Sequence, residues 1–326
     1  MIKCSLAINK IRRYWYKGLV ISIILVMYIV CFSGCGKNTN NTSGNISVVT
    51  SIFAPYDFAN QIGGENVNVH MLMSPGAETH SYEPTPQDII KISECDVFIY
   101  VGGENDEWVD GILDTIDISN IKIIKMMDCV ETLKEEYVEG MEKEEEEENE
   151  EEWDEHVWTS PLNAIKICKE IEKTFSELDA ENEEFYLDNY ESYKEKLIEI
   201  DRSFRQIVAE GNKNTIIFGD RFPVRYFTEE YGLKYYAAFP GCSADTEASA
   251  STIAFLIDKI KSEDISVILK IELSTGNIAD TISEETGVKI YTFYACHNLT
   301  KVDFDGGKTY LDFMWENVET LKIALN

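Results

Sequence analysis

The amino-acid sequence predicts an α/β protein with two lobes, each built around a parallel sheet of (βα)4 type, joined by one long rigid helix. Three observations predict this class. Short apolar strands alternate with helical segments from residue 46 to about 126, and the same rhythm resumes from 213 to 326. An amphipathic segment over 181–210 stands between the two series. The 326 residues, 44 % of them hydrophobic, supply enough apolar material for packed cores and exclude a disordered chain.

The first lobe is predicted over residues 46–178. Its helix near 85 has Pro86 in the first turn, where proline is tolerated because that N–H has no helical partner. Glycines at 63 and 64 end the first helix. Strands are expected over 46–52, 67–73, 96–101 and 121–126, with helices over 55–62, 85–93, 108–115 and 161–178.

The second lobe is predicted over residues 213–326, after the linking helix. Apolar residues three and four positions apart mark the linking helix as amphipathic, and at about 1.5 Å per residue it would be roughly 45 Å long. A helix of this length could span two lobes and hold them rigidly. Strands are expected over 215–218, 235–239, 267–271 and 289–293, with helices over 224–231, 248–261, 277–286 and 310–325.

The first 34 residues have the pattern of a lipoprotein signal peptide. Five basic residues and no acid precede an apolar run over 19–32, and Ser33-Gly34 stands directly before Cys35. We expect cleavage there and acylation of Cys35, with 35–45 as a flexible tether. An uncleaved N-terminal anchor is the alternative. Either way the body of the protein is expected outside the cytoplasm, anchored to the cell membrane.

The formal net charge is −30, from 29 basic and 59 acidic residues. This acidity excludes nucleic acid and an anionic membrane surface as partners, because both are bound through basic patches. Residues 142–155 contain eleven acids and one lysine, which predicts a self-repelling, disordered surface loop. The loop could concentrate divalent cations weakly, or it could be only a solvated insertion.

Five cysteines remain after the signal and the lipid site are set aside. Cys95, Cys129 and Cys168 lie in or beside predicted strands and helices and are expected to be small buried hydrophobes. Cys242 and Cys296 lie in irregular polar segments, where a disulfide could form outside the cell. Sequence alone does not establish that pairing.

Only four histidines occur, and three of them follow strands or precede helices. His70 is expected to be a polar residue on one face of a strand rather than a ligand. His80 follows the second strand, His156 precedes a helix, and His297 follows the last strand. Carboxyl edges of parallel sheets are where ligands bind, so these three could converge between the lobes. Such a set suits Zn²⁺, whereas the alternative is three unrelated surface histidines.

Two segments resemble the zinc/manganese substrate-binding proteins of bacterial ABC importers. Residues 76–89, Gly-Ala-Glu-Thr-His-Ser-Tyr-Glu-Pro-Thr-Pro-Gln-Asp-Ile, are similar to that family's Gly-x-x-x-His-x-Tyr-Glu-Pro-Thr-Pro segment. Residues 154–161 are similar to its Asp-Pro-His-x-Trp-x-x-Pro segment, with Glu155 in place of proline. The opening strand over 48–58 is also similar, and the resemblance runs from about residue 46 to the C-terminus.

The resemblance implies a metal site with two ligands from each lobe. His80 and His156 match the family's two N-terminal histidines, and His297 stands where the family has an Asp after the last strand. Asp220 follows the first C-terminal strand and is the remaining ligand candidate, with a helix N-cap beside Pro223 as the alternative. Glu272 ends a strand near the same edge and could orient a ligand without binding the metal.

This ligand set, rich in nitrogen and poor in carboxylate, favours Zn²⁺ over Mn²⁺. A thiolate at Cys296 would favour zinc further. The resemblance therefore implies a monomeric, lipid-anchored binding protein, not an enzyme, that delivers zinc to a membrane permease driven by an ATPase. A manganese importer component or adhesin, a zinc metalloenzyme with water as fourth ligand, and a cation buffer that uses the acidic loop are the alternatives.

Overall fold

A computed structural model describes residues 44–77, 82–141, 152–241, 243 and 247–326, and within them eight strands form two four-stranded parallel sheets. The predicted α/β class is confirmed. The strands are β1 Ile46–Thr50, β2 Val67–Met71, β3 Val97–Tyr100, β4 Lys122–Lys125, β5 Thr215–Phe222, β6 Lys234–Pro240, β7 Val267–Lys270 and β8 Lys289–Thr292. The helices are α1 Phe53–Gly63, α2 Pro86–Glu94, α3 Glu107–Leu113, α4 Pro161–Leu178, α5 Glu183–Glu210, α6 Arg225–Tyr231, α7 Ala250–Ser262, α8 Asn277–Thr286, α9 Lys301–Asp305 and α10 Tyr310–Ala324.

Both sheets have the same strand order. The first is β2-β1-β3-β4 and the second is β6-β5-β7-β8, with every pair parallel. In each sheet the chain therefore adds strands first on one side of the opening strand and then on the other. This reversal of strand order falls between β1 and β3 in the first sheet and between β5 and β7 in the second. Ligands of open parallel sheets bind at such reversals, beyond the carboxyl ends of the strands. The topology therefore marks the residues directly after these central strands as the place to look for a site.

Local sequence sets the helix starts around this edge. Thr85 and Asp88 form a reciprocal capping box at α2, with Pro86 at the first helical position. Ser160 accepts from the N–H of Asn163 and caps α4, which likewise begins with proline. These caps fix where the chain leaves the preceding loop, and the loop before α4 is the one that contains His156.

The two lobes share one hydrophobic core. The 28-residue linking helix α5 buries Tyr186, Tyr193 and Phe204 among others along one face. The C-terminal helix α10 packs against the first lobe, where Tyr310 lies edge-on to Phe58 with ring centroids 4.9 Å apart. Residues 45–326 accordingly form one compact unit, so the lobes are parts of a single body.

Two details differ from the sequence predictions. Strand β5 continues to Phe222, past an irregularity between Phe218 and Arg221, so Asp220 lies in a strand and caps no helix. Helix α9 was not expected. Among the described residues, no helix is both long enough and apolar enough to pass through a membrane. The predicted signal peptide and tether, apart from residues 44 and 45, lie outside the described residues.

Candidate metal centre

His156 is fully buried and is oriented by the aspartate two residues before it. The Asp154 carboxylate accepts hydrogen bonds from the His156 main-chain N–H at 2.8 Å and from its ring Nδ1 at 3.0 Å. A carboxylate only accepts, so the proton must lie on Nδ1 and the lone pair on Nε2. The Nε2 atom is buried and has no hydrogen-bond partner among the described residues. This nitrogen is therefore presented as a free ligand atom.

Charge also acts on His156. Burial alone would lower the pKa of the imidazole, but the adjacent Asp154 carboxylate and its hydrogen bond raise it above the usual value. A carboxylate behind a histidine makes the ring a stronger base and a better metal ligand. On its flank, Gly241 packs so closely that a Cβ there would lie 2.8 Å from the ring.

His297 is placed by a loop that follows β8 and is held from behind by Glu272. The buried Glu272 carboxylate accepts hydrogen bonds from the main-chain N–H groups of Ala295 at 2.7 Å and His297 at 3.1 Å. Burial raises the pKa of Glu272 to about 7. Between these two donors, Cys296 adopts a left-handed backbone with φ of 62°. Glu272 therefore fixes the turn that carries His297.

The same loop is fastened to the first lobe. The N–H of Phe53 donates to the His297 carbonyl oxygen at 2.9 Å, and the N–H of Gly76 donates to that of Leu299 at 2.8 Å. The Asn298 side chain donates to the carbonyl oxygens of Ser74 and Ala77, both at 2.9 Å. A histidine from the second lobe is thereby held against strand ends of the first.

The two histidine rings are neighbours. His156 and His297 have ring centroids 4.6 Å apart with an interplanar angle of 78°. Trp158 lies edge-on to His297 at 4.8 Å and is tilted against His156 at 5.6 Å. The indole N–H of Trp158 donates to the Ala295 carbonyl oxygen at 2.7 Å. Trp158 thus packs against both rings and is itself bonded to the loop that bears His297.

A cavity of about 20 Å³ opens beside His297 at the carboxyl edge of the first sheet. It lies at the chain reversal between β1 and β3, because residues that follow both strands line it. The lining residues are Ser51, Ile52, Met73, Tyr82, Val101, Asn105, Asp106, Glu155, Trp158 and His297. A space of this size holds one small ion or water molecule.

Asp220 is placed differently from the expected ligand. Its two carboxylate oxygens accept from the N–H groups of Arg221 at 2.9 Å and Ile271 at 3.3 Å, which tie β5 to the end of β7. Burial raises its pKa, and bonds from Ser274 and these N–H groups partly offset that effect. Within the described ranges, no three His, Cys, Asp or Glu side chains form a group that could hold a metal. The structure therefore does not bring Asp220 together with His156 and His297.

The other candidates have varied outcomes. His80 and Cys242 lie outside the described residues. Cys296 is a fully buried free thiol, so the structure does not contain the disulfide with Cys242 that the sequence allowed. Burial raises the pKa of Cys296 well above its usual value, so its thiol is protonated in the metal-free protein. His70 is exposed on β2 beside Lys91, 2.7 Å from its ammonium nitrogen.

The predicted acidic surface loop over 142–155 is wrong at its C-terminal end. Asp154 and Glu155 are buried, with 1 % and 3 % of their surfaces exposed, and both belong to the site. Residues 142–151 lie outside the described residues. In the sequence, Asp154 and Glu155 belong both to the acidic run and to the family-like segment over 154–161, and the second pattern was the signal that the run ends in a structured loop.

Residues 48–324 match the protein family described as "Zinc-uptake complex component A periplasmic". The chain belongs to this family. It is 31 % identical over 303 residues to the zinc-binding lipoprotein AdcA of Streptococcus pneumoniae, which covers 93 % of this chain and 60 % of AdcA. It is 30 % identical over 317 residues to the high-affinity zinc uptake system protein ZnuA of Bacillus subtilis, covering 96 % and 98 % of the two chains.

Solved structures of this zinc-uptake family have the same fold. The Zn(II)-bound ZnuA-like domain of Streptococcus pneumoniae AdcA superposes with a TM-score of 0.72 at 30 % identity, covering 86 % of this chain and 99 % of that domain. The metal-dependent lipoprotein YcdH of Bacillus subtilis gives a TM-score of 0.72 at 29 % identity, with the same coverage. The chain spans only about 60 % of the AdcA sequences that it matches.

Proposed function

We propose that this protein is the extracytoplasmic zinc-binding component of an ABC importer. It captures Zn²⁺ between its two lobes and delivers the ion to a membrane permease driven by an ATPase. One observation carries the proposal: the buried rings of His156 and His297 lie 4.6 Å apart, and the Nε2 atom of His156 is directed away from its aspartate partner as a free ligand atom. Two imidazoles in a buried cleft are a typical zinc environment.

In this proposal His80, His156 and His297 bind the ion, as three nitrogen ligands. The loop that contains His80 joins two segments at the site, since Ala77 contacts Asn298 and Tyr82 lines the cavity. Asp220 has a structural role, because main-chain N–H groups already bond both of its oxygens. Three nitrogen donors favour Zn²⁺ over Mn²⁺, which prefers carboxylates. The relatives AdcA and ZnuA are named for zinc, which supports the same metal.

The proposed protein acts as a monomer and is attached to the membrane by lipid on Cys35. A Cys35→Ala variant tests the attachment, because the acylated sulfur is lost while residues 45–326 are untouched. We expect this variant to appear in the medium or the soluble fraction rather than with membranes. Its retention on membranes would contradict lipid anchoring at this cysteine. That result would not bear on the zinc site, which the next experiment tests.

The decisive experiment is titration of the metal-free protein with Zn²⁺ and with Mn²⁺, with the metal content counted. We expect one tight zinc per chain, lost in His80→Ala, His156→Ala and His297→Ala. His70→Ala is the matched control, because it removes the one histidine that lies on the exposed face of β2. Deletion of residues 142–151 should leave the tight site intact. A stoichiometry that falls with the deleted acids would overturn the proposal in favour of a cation buffer.

A further inference from the structure

The cavity beside His297 has polar walls that the three histidines do not explain. Ser51 follows β1 and is buried, with 3 % of its surface exposed. Ser51 lines the cavity, and its hydroxyl oxygen has no hydrogen-bond partner among the described residues. A buried hydroxyl without a partner costs free energy unless a ligand or water bonds it. This atom therefore indicates that the cavity holds a small polar molecule.

Glu155 supplies a carboxylate to the same cavity. Its oxygens accept hydrogen bonds from the main-chain N–H of Asn105 at 3.3 Å and from the Asn105 side-chain amide. Gly103 makes room for it, since a Cβ at that position would lie 2.3 Å from a Glu155 carboxylate oxygen. Glu155 stands where the family segment quoted above has proline, so its side chain is a feature of this chain rather than of the common scaffold.

Charge in the cavity points to a cation. Asp106 and Glu155 both line it, and no lysine or arginine is among its described lining residues. Asp106 is compensated by the N–H groups of Val101 at 2.7 Å and Gly102 at 3.1 Å. Within the described part of the chain, the Glu155 carboxylate accepts hydrogen bonds only from the two amide groups of Asn105. Burying a carboxylate with so little compensation is costly, and a dication next to the cavity would offset that cost.

We propose that Glu155 and Ser51 hold a water molecule that completes the coordination of the captured ion from the cavity side. Zinc prefers four ligands, and three histidines leave one position open. A buried water needs two to four polar partners, and the Ser51 hydroxyl, the Glu155 carboxylate and the metal are three. Glu155 thereby has the role that the sequence suggested for Asp220, namely the carboxylate of the site, but it acts through a water molecule. The inference rests on the proposed zinc-binding function.

Glu155→Gln and Ser51→Ala test this site. Both variants keep the size of the side chain nearly unchanged, so the fold should persist, and circular dichroism checks this. Glu104→Gln is the matched control, because it removes one negative charge from an exposed residue on the same segment as Asn105. Zinc affinity is measured by competition with a chromophoric chelator. Co²⁺ loaded into each variant reports coordination through its visible absorption spectrum.

We expect the zinc dissociation constant to rise about 10- to 100-fold in Glu155→Gln, the range found when groups that orient metal ligands are removed, and by a smaller factor in Ser51→Ala. The Co²⁺ spectrum should change in both variants and stay unchanged in Glu104→Gln. Wild-type affinity and spectrum in Glu155→Gln would overturn this inference while leaving zinc capture by the histidines in place. Absence of tight zinc binding by the wild-type protein would instead overturn the proposed function.

Discussion

The Asn298 side-chain amide donates to the main-chain oxygen of Ser74 at 2.9 Å, joining residues that are 224 positions apart and belong to different lobes. The same amide nitrogen also bonds Ala77, the last described residue before the segment with His80. Asn298 is adjacent to His297 and only 1 % exposed. One side chain therefore couples the second-lobe histidine loop to the first-lobe loop that leads to another proposed ligand.

Loss of Asn298 should weaken both folding and metal capture. In Asn298→Ala the two hydrogen bonds donated by the buried Asn298 amide are lost, which should lower the free energy of unfolding by about 2 kcal/mol. Zinc affinity should also fall, because the two histidine loops are no longer tied. Denaturant unfolding and chelator competition measure the two effects. Asn60→Ala is the control, since the Asn60 side chain bonds only the Tyr56 carbonyl oxygen within α1 in the described structure. The zinc affinity of this variant should equal that of the wild type.

Replacement of Asp154 by asparagine should weaken zinc binding without disturbing the fold. Asparagine has the same shape but no charge, so the His156 ring becomes a weaker base and loses the group that fixes its proton on Nδ1. We expect the zinc dissociation constant to rise about 10- to 100-fold, measured by chelator competition. Asp117→Asn, on an exposed turn, should show no change. An unchanged affinity in Asp154→Asn would mean that Nε2 of His156 does not bind the ion.

The order of strands and helices could be predicted from sequence because each element carries its own signal. The bounds of α4 and α8 agree with the prediction, since Ser160-Pro161 starts one and Gly287 in a left-handed conformation ends the other. The end of β5 could not be predicted. Asp220-Arg221 reads as a polar loop, yet Arg221 pairs with Phe239 because the strand continues beyond an irregularity.

The candidate site was predictable only in part. The position of His297 after the last strand follows from the rule that ligands bind at carboxyl edges of parallel sheets. Its closeness to His156 depends on how two lobes pack, and that is set by contacts such as Trp158 to Ala295 between residues 137 positions apart. Sequence periodicity contains no such information. The burial of Glu155 was missed for the same reason, because its partner Asn105 lies 50 residues earlier.

Zinc should leave faster when the Trp158 indole N–H is removed. In Trp158→Phe an aromatic ring remains beside the histidines, but the bond to the Ala295 carbonyl oxygen is lost. One hydrogen bond contributes about 1 kcal/mol, so the dissociation rate should rise by somewhat less than tenfold. Stopped-flow mixing of the zinc-loaded protein with excess chelator measures this rate. Trp315→Phe, at a partly exposed position on α10, should release zinc at the wild-type rate. Equal rates in both variants would show that this bond does not limit release.

Stability should depend on pH through Asp57, a buried carboxylate between α1, α5 and α10. It accepts from the Tyr310 N–H at 3.1 Å and the Tyr193 hydroxyl at 3.2 Å, yet burial raises its pKa to about 6 from an ordinary 3.8. The folded state therefore binds a proton that the unfolded chain releases, so this group destabilises the protein progressively as pH rises from about 4 to above 6. The full difference corresponds to about 3 kcal/mol.

The difference between wild-type and Asp57→Asn isolates this effect, because the other titrating groups cancel. Asparagine cannot ionise, so the wild type should lose unfolding free energy relative to the variant between pH 4 and pH 7, and the difference should be constant above that range. Denaturant unfolding of the metal-free proteins at a series of pH values measures it. A difference that does not change with pH would show that the Asp57 carboxyl titrates at the same pH in the folded and unfolded chains. A slope of the opposite sign would mean that its bonds to Tyr310 and Tyr193 outweigh the cost of burial.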